Sequence, residues 1–257
     1  MAKYLALLLI TAFATAQKPV KIVLVGDSTV NEEGGWGEGF RKSFGPPVEV
    51  INLAKNGRSS KSFRDEGLWA PALAAKADFI LIQFGHNDEP GKGPDRETDP
   101  TTTYRANMIR YVDEARAAGA TPILVTSIVR RNFDADGKIK RDHLVEYVAA
   151  VRKIAAEKNV PLIDLYALTR AQSESLGPEG TSAFNATTKE GKPDTTHLSA
   201  VGRQEIGAIA AREFVRLEPS VKPQLLAQRA AFPSAFERQP PSGAGSRPAL
   251  RKATPAS

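Results

Sequence analysis

The sequence predicts an α/β fold: a parallel β-sheet covered by helices on both faces. Three observations carry that expectation. Short apolar runs at 20–25, 48–53, 79–84, 122–128 and 160–165 are nearly continuous rather than alternating, as strands buried on both faces are. Helical patterns fall between them, and strand–helix alternation favours right-handed crossovers and parallel pairing. Hydrophobic residues make up 41% of the 257, ample for a large core, and no internal repeat divides the chain.

Each element follows in order. Lys3, a largely apolar stretch at 4–13 and the small-residue site Ala14-Thr15-Ala16 form the pattern of a secretory signal over residues 1–16. A fresh strand begins at Val20 and breaks at Gly26. Asp27 and Ser28 follow, then a glycine-rich loop at 34–39 around Trp36. The second strand runs into Asn52, Ala54 and the turn at Asn56-Gly57. Residues 68–76 are alanine-rich and read as a short helix. The third strand ends in Phe84-Gly-His-Asn-Asp88. Met108, Ile109, Val112 and Ala115 recur at helical spacing within 104–118, and Gly119 stops that helix. Leu144, Val148, Val151, Ile154 and Ala155 line one face of a helix at 141–158. A short helical stretch follows the fifth strand, and the last amphipathic helix spans 199–217. Loops are expected at 89–103 and 172–194, on the rim where open α/β sheets bind ligands. Residues 17–218 are thus expected to fold together. Residues 219–257 read as a basic, Pro/Ala-rich tail, largely disordered, with Leu225, Leu226 and Phe232 docking at most briefly.

Charge and composition exclude several classes. The net charge of +6 comes chiefly from the tail, where six basic residues face only Glu237. The remaining 29 basic and 28 acidic residues nearly cancel, so no nucleic-acid partner is indicated. After residue 16 no stretch approaches the ~20 apolar residues of a membrane span. A periplasmic or secreted location is expected. With no cysteine the core must suffice without disulfides.

The chemistry converges on few side chains. Ser28 sits where a strand meets a tight turn, a position that exposes a nucleophile rigidly; Asp27 or Ser28 as a helix cap is the competing reading. There are three histidines. His143 lies amid charges on a helix and reads as a solvated surface residue. His197 follows Asp194 by three residues, so the carboxylate can reach the imidazole Nδ1 while Nε2 points away, as in a serine triad. Capping of the final helix by Asp194, Thr195 or Thr196 competes with that role. Oxyanion donors could come from the Ser28 and Gly57 N–H groups and the Asn87 amide, which does not titrate. Asn56-Gly57 and Asn87-Asp88 are equally ordinary turn pairs.

The order of these blocks resembles the SGNH/GDSL hydrolases: Gly26-Asp-Ser-Thr29, Gly57-Arg-Ser59, Phe84-Gly-His-Asn-Asp88 and Asp194-Thr-Thr-His-Leu198. Gly35-Trp-Gly37, Asn52-Leu-Ala54 and Arg130-Arg131 bring it nearer to the rhamnogalacturonan acetylesterases within that family. The resemblance covers most of 20–217. It implies a flavodoxin-like three-layer α/β/α sandwich with a five-stranded parallel sheet. It also implies Ser28 as nucleophile, His197 as base, Asp194 as its orienting acid, and an oxyanion hole of Ser28, Gly57 and Asn87. No metal or organic cofactor is implied.

The expected activity is removal of O-acetyl groups from a plant cell-wall polysaccharide, a pectic rhamnogalacturonan, through an acetyl-enzyme, by a protein acting as a monomer. Trp36, Arg58, Trp69, His86, Arg130 and Arg131 are candidate substrate contacts, the arginines because a guanidinium suits a galacturonate carboxylate. Packing of either tryptophan in the core, and plain solvation of the arginines, are the competing readings. A lipid-ester or thioester hydrolase of the same fold is an alternative, disfavoured by the polar 89–103 loop. A non-catalytic carbohydrate-binding protein is another, disfavoured because a binding module needs no base with its own acid.

Overall fold

The structure, a computed structural model, describes residues 19–226. The expected signal segment, Phe232 and the chain beyond Arg238 lie outside the described residues. Strands β1 (Val20–Gly26), β2 (Val48–Asn52), β3 (Phe79–Gln83), β4 (Thr121–Val125) and β5 (Leu162–Ile163) form one parallel sheet in the order β2-β1-β3-β4-β5. Between and after them come helices α1 (Gly37–Lys42), α2 (Ser62–Asp65), α3 (Ala70–Ala74), α4 (Thr103–Ala117), α5 (Leu144–Glu157), α6 (Leu165–Ser182) and α7 (Ala200–Leu217). Strands β6 (Asn185–Thr187) and β7 (Pro193–Leu198) form a separate antiparallel pair.

The continuous apolar strands have a direct explanation, because successive side chains serve opposite faces. Val23, Val25, Ile80, Ile82 and Leu124 join one core with Phe63, Tyr104, Met108, Tyr111 and Val151 from α2, α4 and α5. Ile22, Leu24, Leu81, Ile123 and Val125 join the other with Trp36, Phe40, Ile206, Ala210 and Phe214 from the α1 and α7 side. Each large apolar side chain buried this way contributes about 1.5–3 kcal/mol relative to exposure. The three-layer α/β/α arrangement follows.

Helix α1 sits inside what the sequence suggests is only a glycine-rich loop. Its glycines serve a close crossing over α7: a Cβ on Gly39 would stand 2.0 Å from the Arg203 carbonyl, and one on Gly207 would stand 2.3 Å from the Phe40 nitrogen. The expected loop at 172–194 also differs. Helix α6 continues through it to Ser182, kinked at Gly177 ahead of Pro178, and the β6–β7 pair takes up the rest. The chain past 218 continues as a 3₁₀ turn (Pro219–Gln224), with Val221 fully buried and the Gly45 N–H donating to the Gln224 carbonyl at 2.9 Å.

Strand register aligns the ends that matter. Gly26 pairs with Gln83, and Leu24 pairs with Asn52. The segments after β1, β2 and β3 therefore leave the sheet side by side, where the chain order reverses around β1.

Candidate active site

Ser28 stands in the turn after β1, and the residues around it hold that turn shut. Asp27 Oδ1 accepts the Thr29 N–H at 2.8 Å and the Thr29 hydroxyl at 2.7 Å. Gln83 Nε2 donates to Thr29 Oγ1 at 2.7 Å, while Gln83 Oε1 accepts the Trp36 indole N–H at 2.9 Å. Asp27, Thr29, Gln83 and Trp36 are all fully buried, and Ser28 is left partly exposed above them. Asp27 thus shapes the turn that carries Ser28 and caps no helix. Gln83 was not among the sequence candidates; a lone glutamine ending an otherwise apolar strand is the signal that marks it.

From the other side, β7 brings His197. Its Nε2 lies 2.8 Å from Ser28 Oγ, and its Nδ1 lies 2.7 Å from Asp194 Oδ2. Asp194 Oδ1 also accepts the N–H groups of Thr196 (2.9 Å) and His197 (3.0 Å). Burial pushes this carboxyl up, but those hydrogen bonds outweigh it and hold Asp194 below the usual carboxylate range. The sequence suggests a loop at Asp194 and places His197 just before the last helix; both stand on β7 of the hairpin. Helix capping is done elsewhere: Ser199 Oγ accepts the Gly202 N–H at 3.1 Å, which leaves Asp194 to the imidazole.

The second and third strand ends complete the rim. Gly57 has φ +73°, a conformation that suits glycine. Asn87 lies after β3, and its Nδ2 donates to the Arg58 carbonyl at 3.3 Å, tying the two strand ends together. An amide nitrogen carries two hydrogens, so one remains for a further acceptor. Asp88 is an anchor: its carboxylate takes the Ser60 N–H at 3.1 Å, the Ser60 hydroxyl at 2.6 Å and the Thr98 hydroxyl at 2.9 Å. Burial drives the Asp88 pKa up to about 7, with those hydrogen bonds opposing.

The proposed substrate contacts need correction. Trp36 is 0% exposed and spends its N–H on Gln83, so it packs beneath the Ser28 turn. Trp69 is 5% exposed, stacks edge-on against Tyr111 and donates to Glu114, so it belongs to the core. Arg130 is clamped between Glu89 and Asp142; burial pulls its pKa down, but the two carboxylates more than offset this. Arg131 is buried, donating to Asn185 Oδ1 at 2.6 Å and to the His197 carbonyl at 2.6 Å, so it braces the hairpin from behind. Burial lowers its pKa to about 10, and it stays charged at neutral pH. His86 is 4% exposed, with Nδ1 3.9 Å from Asp27 Oδ2, and burial depresses its pKa well below 6.5. Asp27, also buried, is pushed up. Among these six, Arg58 keeps a place on an open wall, paired to Glu66 at 2.7 Å. It borders a cleft of about 490 Å³ with Asn31, Glu33, Asn52, Lys55 and Asn56, whose lining includes none of Ser28, Asp194 and His197. His143 is exposed, as expected.

A serine with an oriented imidazole at hydrogen-bond distance can open an ester through a covalent acyl-enzyme. The comparisons with known proteins point the same way. A model of the GDSL-like lipase/acylhydrolase family matches residues 21–204. The chain is 36% identical over 230 residues to the rhamnogalacturonan acetylesterase RhgT of Bacillus subtilis, covering 82% of this chain and 97% of that one. It is 33% identical over 216 residues to a probable rhamnogalacturonan acetylesterase, YesY, of the same organism, covering 81% and 98%. An acetylxylan esterase structure from Geobacillus stearothermophilus shares the fold, with TM-score 0.56 and 20% identity over 77% of this chain and 93% of that one.

Proposed function

Because the chain belongs to the GDSL-like lipase/acylhydrolase family and is a carboxylic ester hydrolase, we propose that it removes O-acetyl groups from a polysaccharide, specifically a pectic rhamnogalacturonan, outside the cytoplasm. The observation that carries the chemistry is the unbroken chain from Ser28 Oγ through His197 to Asp194, at 2.8 and 2.7 Å. Ser28 Oγ attacks the acetyl carbonyl as its proton passes to His197 Nε2. Asp194 fixes the tautomer and stabilises the imidazolium. The N–H groups of Ser28 and Gly57 and the Asn87 amide take the negative charge on the carbonyl oxygen. The C–O bond to the sugar then breaks, and His197 returns the proton to the departing hydroxyl. Water, deprotonated by His197, cleaves the acetyl-serine and gives acetate. The rhamnogalacturonan acetylesterase names of the two relatives support the sugar class, and the polar 89–103 loop suits a hydrated substrate.

The test is acetate release from a panel of acetylated pectins and xylans, beside an ester series of increasing acyl length. Pectic substrate is expected to be turned over fastest and acetate esters preferred. Faster hydrolysis of long-chain esters would move the reading to a lipid or thioester. Export is checked separately by finding the mature N-terminus after Ala16 in the periplasm or culture fluid.

A further inference from the structure

The arginines that the sequence offered for a substrate carboxylate are already engaged: Arg58 by Glu66, Arg130 by Glu89 and Asp142, Arg131 by the hairpin. Arg96 differs. Its Nε donates to the Lys92 carbonyl at 2.8 Å, which orients the guanidinium, and its Nη1 lies 3.9 Å from the point a Cβ on Gly57 would occupy. Among the described residues neither terminal nitrogen donates to a carboxylate. Glu97, next in sequence, turns away to accept the Gly93 N–H at 2.6 Å, and Asp95 is exposed. Lys92, whose own carbonyl accepts the Arg96 Nε–H, adds a second cation on the same turn, and it too has no ion pair among the described residues.

The segment that carries them is pinned. Lys61 Nζ holds the Pro94 carbonyl at 2.7 Å, and the Thr98 N–H holds the Asp88 carbonyl at 2.9 Å. A partly buried guanidinium, fixed in place with its outer fork open, is prepared for a bidentate anion. It stands against Gly57, one of the proposed oxyanion donors, so its anion must lie within about one sugar of the reacting ester.

We propose that Arg96, assisted by Lys92, is the specificity-determining residue for an anionic substrate and binds the carboxylate of a uronate at or next to the acetylated sugar. This rests on the carbohydrate acetylesterase reading above.

The test uses the full chain and O-acetylated oligouronates, either with free carboxylates or with the same carboxylates methyl-esterified, with acetate release as the readout. Wild type is expected to favour the free-carboxylate substrate in kcat/KM by about tenfold or more. Arg96→Gln should bring that ratio close to one, mainly through KM. Arg96→Lys should keep part of it, and Lys92→Gln should reduce it by a smaller factor. Added salt should lower the wild-type ratio. Equal losses on both substrates would make Arg96 a general electrostatic or structural residue and overturn the proposal. So would a wild type with no preference, or an Arg96→Gln enzyme that retains it. Melting temperatures separate misfolding from these outcomes, and the lysine variant keeps the test open if glutamine unfolds the chain. Acetate release from neither oligouronate, with a chromogenic acetate ester still cleaved by wild type, would remove the pectic reading itself and this inference with it.

Discussion

His197 and His86 approach the Asp27–Ser28 turn from two sides, and their surroundings are opposite. The His197 side chain is 36% exposed with both ring nitrogens engaged, one by Ser28 and one by Asp194. His86 is 4% exposed, and neither ring nitrogen has a hydrogen-bond partner among the described residues. A general base must accept a proton and hand it on, so it needs an acid to stabilise its cation and access to the reacting group. His197 has both. Burial penalises the imidazolium of His86, and the positive charges of Arg130, His197, Lys92 and Arg131 add to the penalty. The difference teaches that a place beside the Asp27–Ser28 turn does not equip a histidine to act as a base; its partners do.

The largest effects should break the comparison if it is wrong. Ser28→Ala and His197→Ala are each expected to lower kcat by up to roughly 10⁶-fold while the chain still folds, by analogy with other serine triads. His86→Gln should cost far less. Steady-state rates on a chromogenic acetate ester decide it: a dead His86 variant beside an active His197 variant would exchange the two roles.

Asn87 comes next. Its free amide hydrogen is positioned at the strand end beside the Gly57–Arg58 turn, with the other held by the Arg58 carbonyl. Asn87→Ala should lower kcat by roughly 10²–10³-fold with a smaller change in KM. Asn87→Asp should be worse, because an ionised carboxylate repels the oxyanion and donates nothing. Unaltered kcat, or a loss matched by unfolding, would leave Asn87 only the task of joining the two strand ends.

Arg131 sharpens the contrast from behind His197. It grips the His197 carbonyl and Asn185 together, so Arg131→Lys should let the β6–β7 hairpin shift and lower kcat by roughly 10–100-fold, as small misplacements of catalytic groups do. Since Arg131 acts through His197, the loss should appear in kcat on both neutral and anionic esters. A change confined to KM on the anionic ester would instead restore Arg131 to substrate binding.

How much of this was legible depended on the range of the physics. The sheet could be read because each strand is an apolar run bounded by Gly, Pro or Asn, a local property. The Asp194–His197 pair could be read because its spacing is itself the contact. Trp36 and Trp69 could not, since a tryptophan in a glycine-rich loop or at the start of a short helix faces cleft or core according to partners 47 and 45 residues away, Gln83 and Glu114. The same holds for Arg130, whose carboxylates are Glu89 and Asp142, and for Arg131, which answers to Asn185. Helix α1 was hidden because its glycines weaken helical propensity, while their reason, the crossing over α7, is tertiary. Gly177-Pro178 similarly disguised a kinked helix as a loop.

The smallest expected effect concerns stability rather than rate, and it tests His86 directly. Burial holds its folded pKa well below the ordinary 6.5, so as pH falls the unfolded chain takes that proton first. Its neutral burial therefore contributes stability that is present above about pH 6.5 and lost as the solution turns acid, at about 1.4 kcal/mol per pH unit for one proton. Asp88 acts in the opposite sense. With its pKa raised to about 7, the folded chain binds the proton, so that contribution is present below the usual 3.8 and lost as pH rises through about 7. The two partly cancel in the wild type, so its pH profile alone is a poor witness. The informative quantity is the unfolding free energy of wild type minus that of His86→Gln, measured by denaturant titration from pH 7.5 to 4.5. That difference should be flat near pH 7.5 and fall by about 1.4 kcal/mol per pH unit below about pH 6, while the variant alone keeps the rise toward acid that Asp88 supplies over pH 7 to 5. Parallel profiles for the two proteins would mean that His86 gains its proton as easily folded as unfolded, and the contrast between the two histidines would fail at its buried end.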